Sequence, residues 1–210
     1  MKKLIFFVFC ILTCAFPAAA ADTTAAEAFS KKLADDIMRD VVKAQTSLQQ
    51  KQDAFRKIFL SAVNIKSTAR FTLGRYARTA APEQLQAYTD ALTNNIIYTW
   101  TERFNNYAGE TITFESSRQS DSGDFYITSK IDIPDTENDV EIIWRITDKK
   151  DVLKLADLVV EGVSMLMSYR NEYTAVLQQN GGDVAALVKQ LNAKNETLKN
   201  PATKQAPAKQ

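Results

Sequence analysis

The chain changes from sheet to helix within Asp157-Leu-Val-Val-Glu-Gly-Val-Ser-Met-Leu-Met-Ser-Tyr-Arg170. The first part of this stretch is an apolar strand, Gly162 provides a turn, and Ser164 can cap a following helix that has one apolar side. Upstream of it, a group of helical patterns is followed by a group of strand patterns. This order of elements predicts an α+β domain.

Four segments that end before Gly162 alternate apolar and polar side chains with a period of two, which is typical of half-buried strands. Turn residues separate them at Gly123 and Pro134, and the polar Asp157 within the last apolar run indicates a β-bulge. Strands joined by short turns pair antiparallel. The sequence therefore predicts a twisted four-stranded antiparallel sheet, with strands at residues 112–114, 125–133, 140–146 and 152–160.

Apolar residues at helical spacing predict four helices before the sheet and two after it. Pro82 favours the first turn of the longest helix, and Gly109 favours its end. The predicted helices cover residues 24–48, a short segment around Phe55, and residues 65–76, 82–107, 164–180 and 183–191. We therefore expect about six to seven helices to wrap the sheet.

The first 21 residues are predicted to be a cleaved secretory signal. Lys2 and Lys3 precede an apolar run, and the four alanines after Pro17 form a small-residue cleavage site. The run is shorter than the roughly 20 apolar residues that a bilayer crossing requires. Residues 22–194 are predicted to form one domain, and residues 195–210, rich in Lys, Ala, Pro and Gln, a disordered tail.

The composition of the exported part excludes several kinds of site. The chain has no His, and Cys10 and Cys14 both fall within the signal, so imidazole, thiol and disulfide chemistry are missing. Removal of the two signal lysines leaves 24 basic residues against 25 acidic ones, a balance that does not favour nucleic-acid binding. The acidic loop at residues 132–139 lacks the pattern of a calcium loop. We expect no metal and no cofactor.

Large apolar side chains are the stronger indication of function. Phe114, Phe125 and Trp144 place bulky rings on one face of the predicted sheet, and Met165 and Met167 place adaptable thioethers beside it. A curved sheet covered by helices can leave an apolar cavity, which is the usual form of a small-molecule site. The pattern favours a carrier of an apolar molecule.

Two other classes of function stay open at this point. Asp157 lies between apolar neighbours and could act with a Tyr in an isomerase or hydrolase, although an Asp at a bulge more often binds backbone amides. A ligand-free adaptor between two membrane complexes is the other alternative.

Among three clustered arginines, helical spacing places Arg70 and Arg78 near one face and turns Arg75 away.

Two blocks of the sequence resemble a known family. They are Leu73-Gly-Arg-Tyr-Ala-Arg-Thr-Ala-Ala-Pro-Glu-Gln84 and the stretch 157–170, followed by Gly181-Gly-Asp183 with Leu187 and Leu191. In this order and spacing they resemble the MlaC family, also called the toluene-tolerance auxiliary family, over roughly residues 53–191. The family motif falls on Gly74, Arg75, Tyr76, Pro82, Tyr107, Asp157, Glu161, Gly162, Val163, Ser164, Tyr169 and Arg170.

The resemblance implies a periplasmic phospholipid carrier that helps to maintain the lipid asymmetry of the outer membrane. Such proteins move glycerophospholipid between an outer-membrane lipoprotein–porin complex and an inner-membrane ABC transporter that bears a ring of MCE domains. The implied fold is similar to a nuclear-transport-factor-like cone with an internal apolar cavity. We expect residues 22–194 to act as a monomeric, non-catalytic lipid-carrier domain with phospholipid as its cargo.

The strand faces and the adjoining helices supply the expected cargo contacts. Candidates for contact with the acyl chains are Tyr76, Ile96, Trp100, Phe114, Phe125, Ile127, Ile142, Trp144, Ile146, Leu155, Val160, Val163, Met165, Leu166 and Tyr169. Arg75 and Arg170 are the candidates for the head group, since a guanidinium can bind phosphate with two hydrogen bonds. Ala77 and Leu153-Lys-Leu-Ala-Asp157 stand where the family tends to carry two further aromatics, which predicts a reshaped cavity.

Overall fold

Helices precede and follow a block of strands along the chain. The computed structural model describes residues 22–106, 109–134 and 139–199; the predicted signal, Tyr107 and residues 200–210 lie outside the described residues. The helices are α1 (Thr24–Ile37), α2 (Leu48–Ala62), α3 (Ile65–Leu73), α4 (Pro82–Phe104), α5 (Met165–Gln179) and α6 (Val184–Lys199). The strands are β1 (Thr111–Gln119), β2 (Phe125–Asp132), β3 (Val140–Asp148), β4 (Leu153–Val160) and β5 (Val163–Ser164).

The strands form one open antiparallel sheet in which each strand pairs with its neighbour in sequence. The predicted α+β class and antiparallel sheet are confirmed, but the described residues give five strands rather than four. The additional strand, β5, has only two residues and is too short for an alternating pattern. The predicted bulge is present beside Asp157, because Asp157 pairs with Arg145 and Leu155 pairs with Ile146, which leaves Ala156 as the extra residue.

A tight turn joins β4 to β5 and leads directly into α5. Glu161 and Gly162 both have positive φ angles, 49° and 75°, as the central residues of a two-residue hairpin turn require. The Ser164 hydroxyl caps α5 by accepting a backbone N–H three residues further on, at 3.0 Å. The Asp157 carboxylate accepts the Leu166 N–H at 2.9 Å and the Ser164 hydroxyl as well. These bonds anchor the first turn of α5 to strand β4.

The helical region near the N-terminus is divided where the sequence predicted continuity. Helix α1 ends at Ile37 and is followed by a π-helical turn, Met38–Val42, so the prediction of one helix as far as residue 48 was wrong. Helix α2 begins after Ser47, which forms a capping box with Gln50: the Ser47 hydroxyl accepts the Gln50 backbone N–H, and the Gln50 side-chain oxygen accepts the Ser47 backbone N–H. This cap satisfies N–H groups that a continuous helix would have bonded internally.

The C-terminal helix is longer than predicted. Helix α6 continues to Lys199, so the predicted start of the disordered tail at residue 195 was wrong for residues 195–199. Asn195 is only 3% exposed. Its side chain donates to the Ala91 carbonyl at 2.9 Å and accepts from the Asn95 amide at 3.0 Å, and both of these residues belong to α4. A buried amide that is bonded through both its nitrogen and its oxygen therefore orders the part of α6 that composition alone marks as polar.

The core has two main parts, one between helices and one between helices and sheet. Helices α3 to α6 pack around Tyr88 and Tyr173, whose rings meet edge to face at 6.0 Å. Burial raises the pKa of both phenols. Helices α1 and α2 pack against the inner face of the sheet around Ile127, Trp144 and Ile146. No described helix combines the length and the apolar character that a membrane crossing needs.

Candidate functional site: an apolar cavity between sheet and helices

A cavity of about 580 Å³ lies between the inner face of the sheet and helices α1, α2, α4 and α5. This volume falls within the roughly 300–1,000 Å³ that is usual for small-molecule sites. Its lining residues are Leu33, Ala34, Ile37, Met38, Val42, Phe55, Phe59, Ala62, Val63, Thr68, Ile96, Trp100, Arg103, Phe104, Glu110, Ile112, Ile131, Ile133, Val140, Ile142, Trp144, Leu155, Ala156, Asp157, Leu158, Val160, Met165, Leu166 and Tyr169.

The wall of the cavity is almost entirely hydrocarbon and aromatic. Arg103, Glu110 and Asp157 are the charged residues that the described chain contributes to it. Trp144 has a polar N–H, but this group donates to the Ser129 hydroxyl at 2.8 Å and is therefore satisfied within the sheet. Burial raises the pKa of the Tyr169 phenol, and the nearby Trp100 indole offsets part of that rise. The wall thus suits a ligand whose buried part is apolar.

The register of the strands places the cavity at one end of the inner sheet face. Ile112 pairs with Ile131, and Ile131 pairs with Val140, while the neighbouring Ile142 pairs with Val160. All five of these residues line the cavity. Alternation along each strand directs these side chains to the face that the helices cover, and pairing then brings them side by side.

The other end of the same sheet face is filled by the protein itself. Ile127 and Ile146 are 1% and 0% exposed and belong to the core beneath α1, where Ala26 is also buried. Phe114 and Phe125 pack against that core, and neither lines the cavity. The alternating pattern identifies the face correctly, but it carries no information about where along a strand a helix packs.

Nine of the fifteen predicted acyl-chain contacts line the cavity: Ile96, Trp100, Ile142, Trp144, Leu155, Val160, Met165, Leu166 and Tyr169. Besides the four core residues just described, Tyr76 and Val163 lie outside the lining. Tyr76 packs against the helical core and approaches Gly182. Val163 is 53% exposed, because it occupies the short strand that follows the β4–β5 turn.

The two head-group candidates also lie outside the cavity lining. The Arg75 guanidinium stacks over the Tyr76 ring at 4.9 Å and donates to its hydroxyl at 2.9 Å. The Arg170 guanidinium lies 4.7 Å from the centre of the Phe71 ring. Each guanidinium therefore has an aromatic partner on the helical surface, and a role in binding the head group stays a prediction for both.

Sequence reasoning missed the contribution of α1 and α2 to the cavity. Leu33 and Ile37 from α1, and Phe55 and Phe59 from α2, line the wall opposite the sheet. Their helical spacing is visible in the sequence, but the same spacing is typical of ordinary core packing. Arg103 was also missed, and a single basic residue near the end of a long helix carries no signal of its own.

Arg103 marks the place where the cavity meets solvent. It is the one lining residue of the exposed class, while every other lining residue of the described chain is buried or half-buried. It lies in the last turn of α4, and its guanidinium lies 5.1 Å from the centre of the Trp100 ring. Among the described lining residues, Arg103 is therefore the cation, and it is the residue most open to solvent.

Asp157 is the charged lining residue that the sequence suggested as a catalytic base, and the structure gives it structural hydrogen bonds. Asp157, the candidate base, is occupied by hydrogen bonds from Ser164 and Leu166 that hold the start of α5. This is the backbone-binding role that an Asp at a bulge commonly takes. Within residues 22–106, 109–134 and 139–199, no three acidic residues cluster in a way that could hold a metal ion.

Comparisons with known proteins agree with this architecture. The family model described as MlaC protein matches residues 27–193. The intermembrane phospholipid transport system binding protein MlaC of Haemophilus influenzae is 24% identical over 178 residues, which cover 81% of this chain and 83% of the relative.

A solved structure shows the same fold. The phospholipid-binding protein from Ralstonia solanacearum, determined in complex with a phospholipid, matches with a TM-score of 0.73 and 23% identity. The match covers 82% of this chain and 98% of that one. Since the family model spans most of the chain and the fold agrees, the chain belongs to the MlaC protein family.

Proposed function

We propose that this protein is a soluble carrier of glycerophospholipid between the two membranes of a diderm cell, and that the cavity between sheet and helices holds the acyl chains. The carrier binds its cargo without chemical change. The observation that carries this proposal is the lining of the cavity, in which three charged residues accompany an otherwise almost continuous apolar wall.

The energetics of lipid transfer explain why such a cavity is needed. Two acyl chains of roughly 16 carbons, at about 0.8 kcal/mol per methylene, amount to on the order of 25 kcal/mol of unfavourable hydration if they cross water uncovered. A wall with few polar groups replaces that hydration with apolar contact at little desolvation cost. The proposed cargo is therefore the kind of molecule that this wall accommodates best.

The names of the relatives support the same cargo. The Haemophilus influenzae relative is named as an intermembrane phospholipid transport binding protein, and the Ralstonia solanacearum protein was determined with a phospholipid bound. From family membership we propose a periplasmic location for this chain. We further propose the two partners that the resemblance implied, an inner-membrane ABC transporter with an MCE-domain ring and an outer-membrane lipoprotein–porin complex.

The proposal is tested by identifying what the protein carries. The full chain is expressed in a diderm host, purified without detergent and extracted with organic solvent, and the extract is analysed by mass spectrometry. We expect glycerophospholipid at about one molecule per chain. A protein that carries no lipid, and that also extracts none from phospholipid vesicles, would contradict the proposal.

A pair of variants on one helix links the cargo to the cavity. Ala34 is 4% exposed and lines the cavity from α1, so Ala34→Trp places a large ring in the space assigned to acyl chains. Ala28 lies on the exposed side of the same helix, and Ala28→Trp is the matched control. We expect the first variant to lose phospholipid and the second to keep it, with both remaining folded by circular dichroism. Equal lipid content in both would place the cargo elsewhere.

A further inference from the structure

Arg103 combines two properties that no other lining residue of the described chain shares. It carries a positive charge, and it is exposed where the rest of the lining is buried or half-buried. An amphiphile with its chains against the apolar wall must leave its polar end at the place where the cavity meets water. That place is the rim occupied by the guanidinium group.

Among the described residues, no side chain forms a hydrogen bond or ion pair with the Arg103 guanidinium. Its central carbon lies over the Trp100 ring, 5.1 Å from the ring centre, which is within the distance of a cation–π contact. A cation–π contact occupies none of the five N–H donors of an arginine. Across the described residues, no carboxylate comes within ion-pair distance of Arg103.

Trp100 contacts Arg103 and also lines the cavity. Its ring lines the cavity and also packs with Phe104, at 5.9 Å between ring centres. The indole is therefore part of the cavity wall and also contacts the guanidinium. A ligand that follows this wall outward meets hydrocarbon first and the guanidinium last.

We propose that Arg103 binds the phosphate group of the cargo and thereby selects phosphate-bearing lipids over neutral lipids with the same chains. This inference rests on the proposed function and names a specificity residue for it. Guanidinium groups recognise phosphate through two parallel hydrogen bonds, which a hydroxyl head group cannot reciprocate. Arg75 and Arg170, by contrast, are backed by aromatic rings outside the lining.

The test compares two probes that differ only in the phosphate head group. One is phosphatidylglycerol with a pyrene-labelled acyl chain, and the other is the diacylglycerol with the same two chains. Binding is measured for wild type, Arg103→Gln, Arg103→Lys and the matched control Arg78→Gln, which changes an exposed arginine outside the cavity lining. We expect Arg103→Gln to bind phosphatidylglycerol about fivefold to tenfold more weakly, with diacylglycerol binding unchanged.

The other variants and outcomes separate this inference from the proposed function. Arg103→Lys should recover part of the affinity because it keeps the charge but not the paired donors, and Arg78→Gln should match wild type. If Arg103→Gln weakens both probes equally, or neither, the phosphate role is wrong although the carrier function stands. If wild type binds neither probe, the proposed function fails and the inference fails with it.

Discussion

A charge placed on the cavity wall should expel the cargo, and its effect should depend on pH. Ile142 lies on β3 between Ser129 of β2 and Val160 of β4, and it lines the cavity. In the lipid-free protein we expect an aspartate at this position to be hydrated, because it would face an empty cavity. Bound acyl chains remove that water, so Ile142→Asp should weaken cargo binding far more than it weakens folding.

The size of this effect follows from the proton that the new carboxylate must take up. An Asp with an ordinary pKa of about 3.9 has to be neutralised before hydrocarbon covers it, at about 1.36 kcal/mol per pH unit. At neutral pH this amounts to about 4 kcal/mol, or roughly a thousandfold loss of affinity. The penalty is present above the ordinary pKa and disappears as the pH falls towards it, so lipid binding should recover near about pH 4.

The assay measures the lipid content of each variant after detergent-free purification. Lipid is extracted at neutral pH and at about pH 4 and is identified by mass spectrometry. Ile142→Asn controls for polarity without a titrating charge and should bind equally at the two pH values. Ile143→Asp is the matched control for position, because Ile143 is the next residue on β3 and does not line the cavity. If folded Ile142→Asp retains as much phospholipid at neutral pH as Ile143→Asp, then acyl chains do not contact this wall.

Three further predictions concern stability. Asp157→Ala removes the acceptor for two donors at the start of α5, and urea titration should show the free energy of unfolding lowered by about 1–3 kcal/mol. Asn195→Ala deprives the buried Asn95 amide of its partner and should also lower the free energy of unfolding by about 1–3 kcal/mol. An unchanged free energy of unfolding would mean that residue 195 belongs to a disordered tail. The Ser117 hydroxyl donates to Glu27 and is the main cause that lowers the pKa of that carboxyl below 4.5. The ionised Glu27 carboxylate therefore stabilises the fold above the ordinary pKa of a Glu, and this stabilisation is lost as the pH falls through the lowered pKa of Glu27. Wild type should melt at a higher temperature than Glu27→Gln at neutral pH, and this difference should shrink as the pH falls to about 3.

Local sequence signals predicted the parts of the fold that depend on local chemistry. Pro82 begins α4, alternation identified the strands, and the polar Asp157 indicated the bulge beside Ala156. The break between α1 and α2 also has a local signal, since Ser47 and Gln50 have the spacing of a capping box, and the prediction overlooked it.

The remaining errors concern contacts between distant parts of the chain. Nothing near Asn195 in the sequence shows that it meets Asn95, a hundred residues earlier, and this pairing orders the end of α6. The site was predicted in part for the same reason. Alternation placed Ile142 and Ile146 on the same sheet face, but α1 packs over one end of that face and leaves the other end open to the cavity.

The hydrogen bond between Trp144 and Ser129 removes one possible donor from the cavity wall. Because the indole N–H is already bonded within the sheet, it offers no donor to a molecule in the chamber. The apolar part of the wall responds to bulk and shape, and it detects an unsaturation through the bend that the double bond introduces into the tail. Where they contact this part of the wall, tails of similar girth should therefore bind alike.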